Sequence, residues 1–259
     1  MNLNLSNKRA LVCGASQGIG LASAKELAKM GCKLNLLARN AEHLEAALSE
    51  LDGDGHDFLP VDLADQQKLT VAIDELLVKH GGFEILVNNA GGPPGGPITK
   101  ADQQGFQHAI NMHLFANHLL ATKLLPYMKE KSYGRIINII STSVRIPLHN
   151  LGVSNTVRAA VASWAKTLAN EVASDGITVN NVLPGATLTS RLSQIVASKS
   201  QATGKVEAEV EAGMKSVIPM QRFGDPAEIA AAVGFLASPA ASYITGISLP
   251  VDGGRTGCL

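Results

Sequence analysis

Short apolar runs alternate along the chain with longer stretches in which apolar positions recur at helical spacing. The runs at Arg9–Cys13 (RALVC), Lys33–Ala38 (KLNLLA), Asp57–Val61, Phe83–Asn88 (FEILVN), Arg135–Ile140 (RIINII), Thr178–Leu183 (TVNNVL) and Ile244–Val251 predict strands. Amphipathic stretches predict helices over Ile19–Met30, Ala41–Leu51, Gln66–His80, Gln104–Lys131, Ser154–Ala173 and Pro226–Ala237, with Pro126 a kink near the end of the longest. Strands that alternate with helices pair in parallel through right-handed crossovers. Nearly continuous apolar strands require cover on both faces. The pattern therefore predicts a three-layer α/β/α fold: a Rossmann-type, doubly wound parallel sheet of about seven strands. Residues 1–259 read as a single dinucleotide-binding domain. Gly91–Pro97 (GGPPGGP) and the Ala-rich polar stretch Ser190–Ser216 read as loops or lids, with 190–216 the expected substrate lid; a plain surface turn explains the first equally well.

Composition narrows the partners. Apolar residues make up 46% of 259, enough for such a core, and 22 basic residues balance 22 acidic ones. A chain without net charge offers no field to nucleic acid or to an anionic membrane, so neither is an expected partner. Cys13, Cys32 and Cys258 are too scattered for zinc, and no metal site is expected. Residues 1–9 lack an apolar signal core and no run is long enough to span a membrane, so the expectation is a soluble, cytoplasmic protein.

The chemistry begins with Gly14-Ala15-Ser16-Gln17-Gly18-Ile19-Gly20, between the first strand and the first helix. Bare backbone amides at a helix start hold a pyrophosphate, and this is the end of a parallel sheet where ligands bind. A glycine-rich turn without a ligand is the alternative. Arg39 follows the second strand where a carboxylate would favour NAD, so NADP is the expected cofactor and NAD the less favoured one. A surface arginine in a capping turn would look the same. Asp62, after the third strand, suits either an adenine contact or a helix cap.

Asn88-Asn89-Ala90-Gly91 ends the fourth strand. Together with the glycine turn, Asn111, Ser141, Pro184-Gly185, Thr189, Arg222–Pro226, Tyr243–Gly246 and Val251–Gly254, it makes the chain resemble the short-chain dehydrogenase/reductase family over nearly its whole length. The likeness is nearest the 3-oxoacyl-(acyl-carrier-protein) reductase branch. The resemblance implies that Gly14, Ser16, Gln17, Gly18, Ile19 and Gly20 wrap the pyrophosphate, with Asp62 and Leu63 at the adenine. Asn88, Ala90 and Gly91 would line the cofactor, and Pro184, Gly185 and Thr189 would hold the nicotinamide carboxamide. Asn111 would anchor a relay water, and Ser141 would polarise the substrate carbonyl. For Ser141 a capping hydroxyl is the simpler alternative. Homodimers or homotetramers are likewise implied.

The family's proton-donating Tyr and the Lys four residues later align with Ser154 and Arg158. The small-residue run Ala159-Ala160-Val161 and the interval from Ser141 set this register. One helical turn still places both on one face. An aliphatic hydroxyl is a far weaker acid than a phenol; Arg158 can bind the cofactor by hydrogen-bonding the nicotinamide ribose as the Lys would, but a guanidinium releases no proton near neutral pH. His149 and His113 are candidate replacement donors, with surface or packing roles as alternatives; Tyr127, Tyr133 and Tyr243 lie away from the motif position.

Two functions follow from these residues. One is NAD(P)-dependent reduction of a small-molecule carbonyl to an alcohol, the substrate free or carrier-bound, with an atypical proton donor. The other is a catalytically silent NADP(H)-binding sensor or partner subunit. Arg191, Lys199, Lys205 and Lys215 in 190–216 suit an anionic or carrier-bound substrate, or simply a solvated helix face.

Overall fold

The computed structural model describes residues 1–258. Seven strands, β1 (Arg9–Cys13), β2 (Lys33–Ala38), β3 (Asp57–Pro60), β4 (Ile85–Asn88), β5 (Gly134–Ile139), β6 (Ile177–Pro184) and β7 (Ser248–Val251), form one sheet. Its order is β3-β2-β1-β4-β5-β6-β7, and each pairing is parallel. The order reverses between β1 and β4, which opens a crevice at the carboxyl ends of those strands.

Alternation along the strands separates two cores. Val12, Ile85, Val87, Ile137 and Val182 face α1 (Gly18–Lys29), α2 (Ala41–Leu48) and a late helix at Pro226–Ala237. Leu11, Leu86, Ile136 and Val179 face α3 (Gln66–His80) and the helices that follow it. All residues of β4 and β5 are buried, as two-sided cover requires.

The helix expected over Gln104–Lys131 is broken into α4 (Gln103–Ile110), a π-helical turn at Asn111–Phe115 and α5 (Ala116–Glu130). Apolar positions continue on both sides of the extra residue in the winding, so periodicity does not reveal it. α5 runs through Pro126 to Glu130. α6 (Gly152–Val172) starts two residues before the expected position.

Ser190–Ser216, expected as a loop or lid, is not a loop but forms α7 (Ser190–Thr203) and α8 (Glu207–Ser216). Their buried apolar positions are few (Leu192, Val196 and Val210), and these pack with Ile218 and Phe223 in a cluster of their own. So sparse a stripe gives little helical period. The Thr189 hydroxyl accepting the Leu192 N–H, and Gly204 at φ +71°, mark the ends of α7. The Pro226–Ala237 helix is α9. The last strand begins at Ser248, not Ile244, because Gly246 at φ +72° turns the chain while its N–H bonds the Val179 carbonyl.

Candidate active site

The turn after β1 is shaped by close backbone approach. Gly14 and Gly18 have φ of +58° and +57°. A Cβ on Gly20 would lie 2.1 Å from the Gly14 carbonyl oxygen. The Asn89 amide pins the turn, donating to the carbonyls of Cys13 and Gly14 at 3.3 Å each. Gln17 enters α1 without a side-chain cap, so the first N–H groups of the helix keep no side-chain acceptor. Such a cradle fits an anion and would be filled by any side chain at Gly20. The start of α7 closes over it. Ser190 Oγ donates to Gln17 Oε1 at 3.3 Å, and a cleft of about 410 Å³ lies among Gln17, Gly18, Leu21, Lys25 and Thr189.

A second cleft of about 440 Å³, lined by Arg39, Val61, Asp62, Asp65 and Lys68, follows β2 and β3. The alternatives for its residues separate here. Asn40, not Arg39, caps α2, accepting the His43 N–H at 2.9 Å. Asp65, not Asp62, caps α3, accepting the Lys68 N–H at 3.0 Å, while Asp62 accepts the Ala64 N–H in the preceding turn. Arg39 is exposed and makes no ion pair among the described residues. Leu63 is buried beside this cleft, and Ser16 and Ile19 are half-buried in the glycine turn.

At the end of β5, Ser141 Oγ accepts the Ser143 N–H at 3.1 Å and caps a short turn, Thr142–Val144. Its own proton remains free to donate. Ser154 is the third residue of α6 and half-buried. Asn155 fixes the loop before it, its amide donating to the Leu148 carbonyl at 2.8 Å. The Gly91–Pro97 loop is laced to the same place: the Gly96 N–H bonds Asn150 O at 2.7 Å, and the Gly152 N–H bonds Gly96 O at 3.0 Å.

Arg158, one turn beyond Ser154, is buried and straddles two strand ends. Nη1 donates to Ile139 O at 2.7 Å and Nη2 to Ala90 O at 3.4 Å, while Nε finds no partner. Burial, and then the nearby charge of Arg191, push its pKa down to about 10, which still leaves a cation at neutral pH. His113, in the π turn, is also buried. Desolvation, followed by the Arg158 charge, drives its pKa down to about 2, and a hydrogen bond to the Gly91 backbone offsets this only in part. Its ring is neutral and its Nε2 has no partner.

Asn111 opens the π turn with both oxygens engaged. Its side chain accepts from Gln107 Nε2 at 2.8 Å and its carbonyl from Gln66 Nε2 at 3.0 Å. Pro184-Gly185 is set by β7: a Cβ on Gly185 would lie 2.7 Å from Asp252 Cα, and its N–H donates to Val251 O at 3.0 Å. Thr189 stands at the head of α7 against Gly18. His149 is exposed in the loop before α6. The tyrosines are elsewhere: the Tyr133 hydroxyl donates to Ala237 O, Tyr127 covers Gly82, and Tyr243 is fully exposed.

Three features escaped the sequence reading. Asn88, Asn138, Asn181 and Ser248 lie in register across four strands, each amide donating to the next oxygen at 2.9, 3.0 and 3.1 Å. Lone asparagines inside the apolar runs RIINII and TVNNVL were the available signal. Ser143, with its buried hydroxyl unpartnered, carried none; Arg191 was legible only as one of four basic residues in 190–216, and nothing in the sequence signals its bond to the Pro93 carbonyl at 2.8 Å.

Known proteins share this architecture. The family model described as enoyl-(acyl carrier protein) reductase matches residues 14–256. The 3-oxoacyl-(acyl-carrier-protein) reductase FabG of Vibrio harveyi is 36% identical over 254 residues, covering 97% of this chain and 98% of the relative. L-sorbose reductase from Gluconobacter frateurii, solved with NADPH and L-sorbose, superposes with a TM-score of 0.93 at 31% identity over the full length of both chains. Actinorhodin polyketide ketoreductase with NADPH gives 0.92 at 29% identity, over 97% of this chain and 98% of the other. With a glycine turn at the sheet's switch point and matches that run almost end to end, the chain belongs to the short-chain dehydrogenase/reductase family of NAD(P)-dependent oxidoreductases, among relatives of the 3-oxoacyl-(acyl-carrier-protein) reductase kind.

Proposed function

We propose that the protein reduces a ketone to an alcohol with NADPH and takes the proton from water rather than from a tyrosine. One observation carries this reading. Ser141, with a free hydroxyl proton, follows β5, and Arg158, a buried cation, spans the carboxyl ends of β5 and β4, the latter beside β1 and its glycine turn. When bound, NADPH supplies the hydride. Gly14, Ser16, Gln17, Gly18, Ile19 and Gly20 hold its pyrophosphate, and Arg39, with Lys68 across the same cleft, its 2′-phosphate. Asp62 and Leu63 border the adenine. Asn88, Ala90 and Gly91 line the path to the ring, and Pro184, Gly185 and Thr189 hold the carboxamide.

Ser141 donates a hydrogen bond to the substrate carbonyl oxygen and stabilises the charge that gathers there. Arg158 stands where the family's Lys does and adds its positive charge to that end of the site. It keeps its proton, so it orients and stabilises without relaying. Ser154 occupies the tyrosine's place and bonds either the carbonyl oxygen or the water that protonates it. His113 is held neutral by burial and does not serve as the acid at neutral pH. Loss of a matched general acid costs about 10²–10⁴ in rate, so slow turnover is expected. In this reading the protein acts as a homodimer or homotetramer, with exposed Phe115 and Tyr243 available to such interfaces.

A second reading, a silent NADPH-binding sensor or partner subunit, is favoured by Asn111. Both of its oxygens are bonded to glutamine amides, and no hydrogen bond joins it to Arg158 among the described residues. Fluorescence titration with NADPH, followed by NADPH oxidation against ketones and 3-oxoacyl thioesters, separates the two. Tight binding with slow turnover supports the enzyme, binding without turnover the sensor. Absence of binding overturns both.

A further inference from the structure

Two basic side chains from two elements meet at Gly92. Arg191 on α7 reaches the Pro93 carbonyl, and Arg158 on α6 reaches Ile139 and Ala90. Both guanidinium groups approach one point. The position a Cβ on Gly92 would take lies 3.8 Å from Arg191 Nη2 and 3.9 Å from Arg158 Nη2. His113 is close enough to Arg158 to feel its charge. Among the described residues, no Asp or Glu pairs with either arginine. Arg158, 7% exposed, leaves Nε unpartnered, and His113, 4% exposed, leaves Nε2 unpartnered. Two like charges that meet, Arg158 buried and Arg191 half-buried, with no anion between them, are an unfavourable arrangement that a bound anion relieves.

The geometry points to an anion subsite in which Arg158 and Arg191 hold the carboxylate of an oxo acid, while its keto oxygen lies at Ser141. This rests on the NADPH-dependent reduction proposed above and names its substrate class. Two planar forks, each already anchored to backbone carbonyls, match a planar carboxylate at little further ordering cost. The cofactor's phosphates cannot serve as the missing anion. Their sites follow β1, β2 and β3, whereas the paired arginines sit beyond β4 and β5. The absent side chain of Gly92 leaves the meeting point open. The reaction balances: hydride goes to the keto carbon, a proton from water goes to the oxygen, NADPH becomes NADP⁺, and the carboxylate is unchanged.

The test pairs acetoacetate and 2-oxobutanoate with their ethyl esters, following NADPH oxidation, and titrates acetoacetate calorimetrically into cofactor-free protein. Wild type is expected to favour each acid over its ester by about tenfold or more in kcat/KM, and to bind acetoacetate without cofactor. Arg191→Met is expected to erase that preference through KM with the NADPH Kd unchanged, and Arg191→Lys to restore part of it. Gly92→Ala, at a backbone outside the left-handed region and without clash, is expected to weaken acetoacetate binding by blocking the meeting point. Equal handling of acid and ester by wild type, or equal loss for both in Arg191→Met, overturns the subsite. If NADPH fails to bind while acetoacetate binds and Arg191→Met abolishes it, the reductase reading falls and the anion subsite stands. If NADPH binds and acetoacetate does not, the subsite falls and the reductase reading stands.

Discussion

The two ends of the sheet treat buried polar groups in opposite ways. At the amino end nearly everything is paired. Buried Glu84 accepts the Arg9 N–H at 2.9 Å and lies 3.8 Å from Lys8, while the Arg9 side chain bonds Asn35. Asn35 meets His80, and His80 and Lys79 hold Asp57. Buried Arg135 donates to the carbonyls of Gly134, Gly176 and Ser238 and stacks over Tyr133. At the carboxyl end, Asn88 Oδ1, His113 Nε2, Ser143 Oγ and Arg158 Nε have no partner, and these are the four such buried atoms among the described residues. Each unmet group costs about 1–3 kcal/mol. The unmet groups thus gather at the end where the proposed site lies.

The largest effect expected at the unfinished end is a gain. Ser154→Tyr combined with Arg158→Lys should raise ketone reduction by about 10²–10⁴ with NADPH affinity little changed, read by steady-state kinetics. A gain below about tenfold would show that the missing acid is not what sets this end apart. Gly20→Ala should weaken NADPH binding by at least about 100-fold in fluorescence titration, because the added carbon collides with the Gly14 carbonyl that shapes the cradle.

The finished end should answer differently. Glu84→Leu should cost about 2–3 kcal/mol in urea unfolding, by stranding the Arg9 N–H and the Lys8 charge, and leave the NADPH Kd of folded protein unchanged. A Kd that moved with it would dissolve the contrast. Arg39→Glu should shift preference from NADPH toward NADH by about tenfold or more, as one charge-assisted contact is replaced by repulsion.

A further effect concerns pH. His113 titrates at about 2 when folded, against an ordinary 6.5. Above pH 6.5 both states are neutral and stability is flat. Below it the unfolded chain takes up a proton that the folded chain refuses, so stability falls by about 1.4 kcal/mol per pH unit toward pH 2. His113→Gln should flatten that limb between about pH 6.5 and 5 in denaturant midpoints. An unchanged slope would show that this imidazole is not buried neutral.

Periodicity carried the fold because parallel strands covered on both faces must be apolar throughout, and their crossover helices must be amphipathic. It failed where burial was slight or the winding irregular. α7 and α8 bury few residues, and the π turn at Asn111–Phe115 disturbs no apolar spacing. The glycine turn was legible because only residues without a Cβ permit such close backbone approach. The cap of α3 was not, since Asp62 and Asp65 are equally plausible cappers until the chain direction at that turn is known.

The amino-acid order by itself determined the sheet, the nucleotide cradle and the presence of a serine and an arginine one helical turn apart on α6. Only the tertiary structure decided that Arg158 is buried without an acid, that its charge reaches the buried His113, and that Arg191 arrives from a distant helix at the same point above Gly92. The reason is physical. Local spacing fixes neighbours along one element, whereas the state of a charge depends on desolvation and on partners brought from far along the chain.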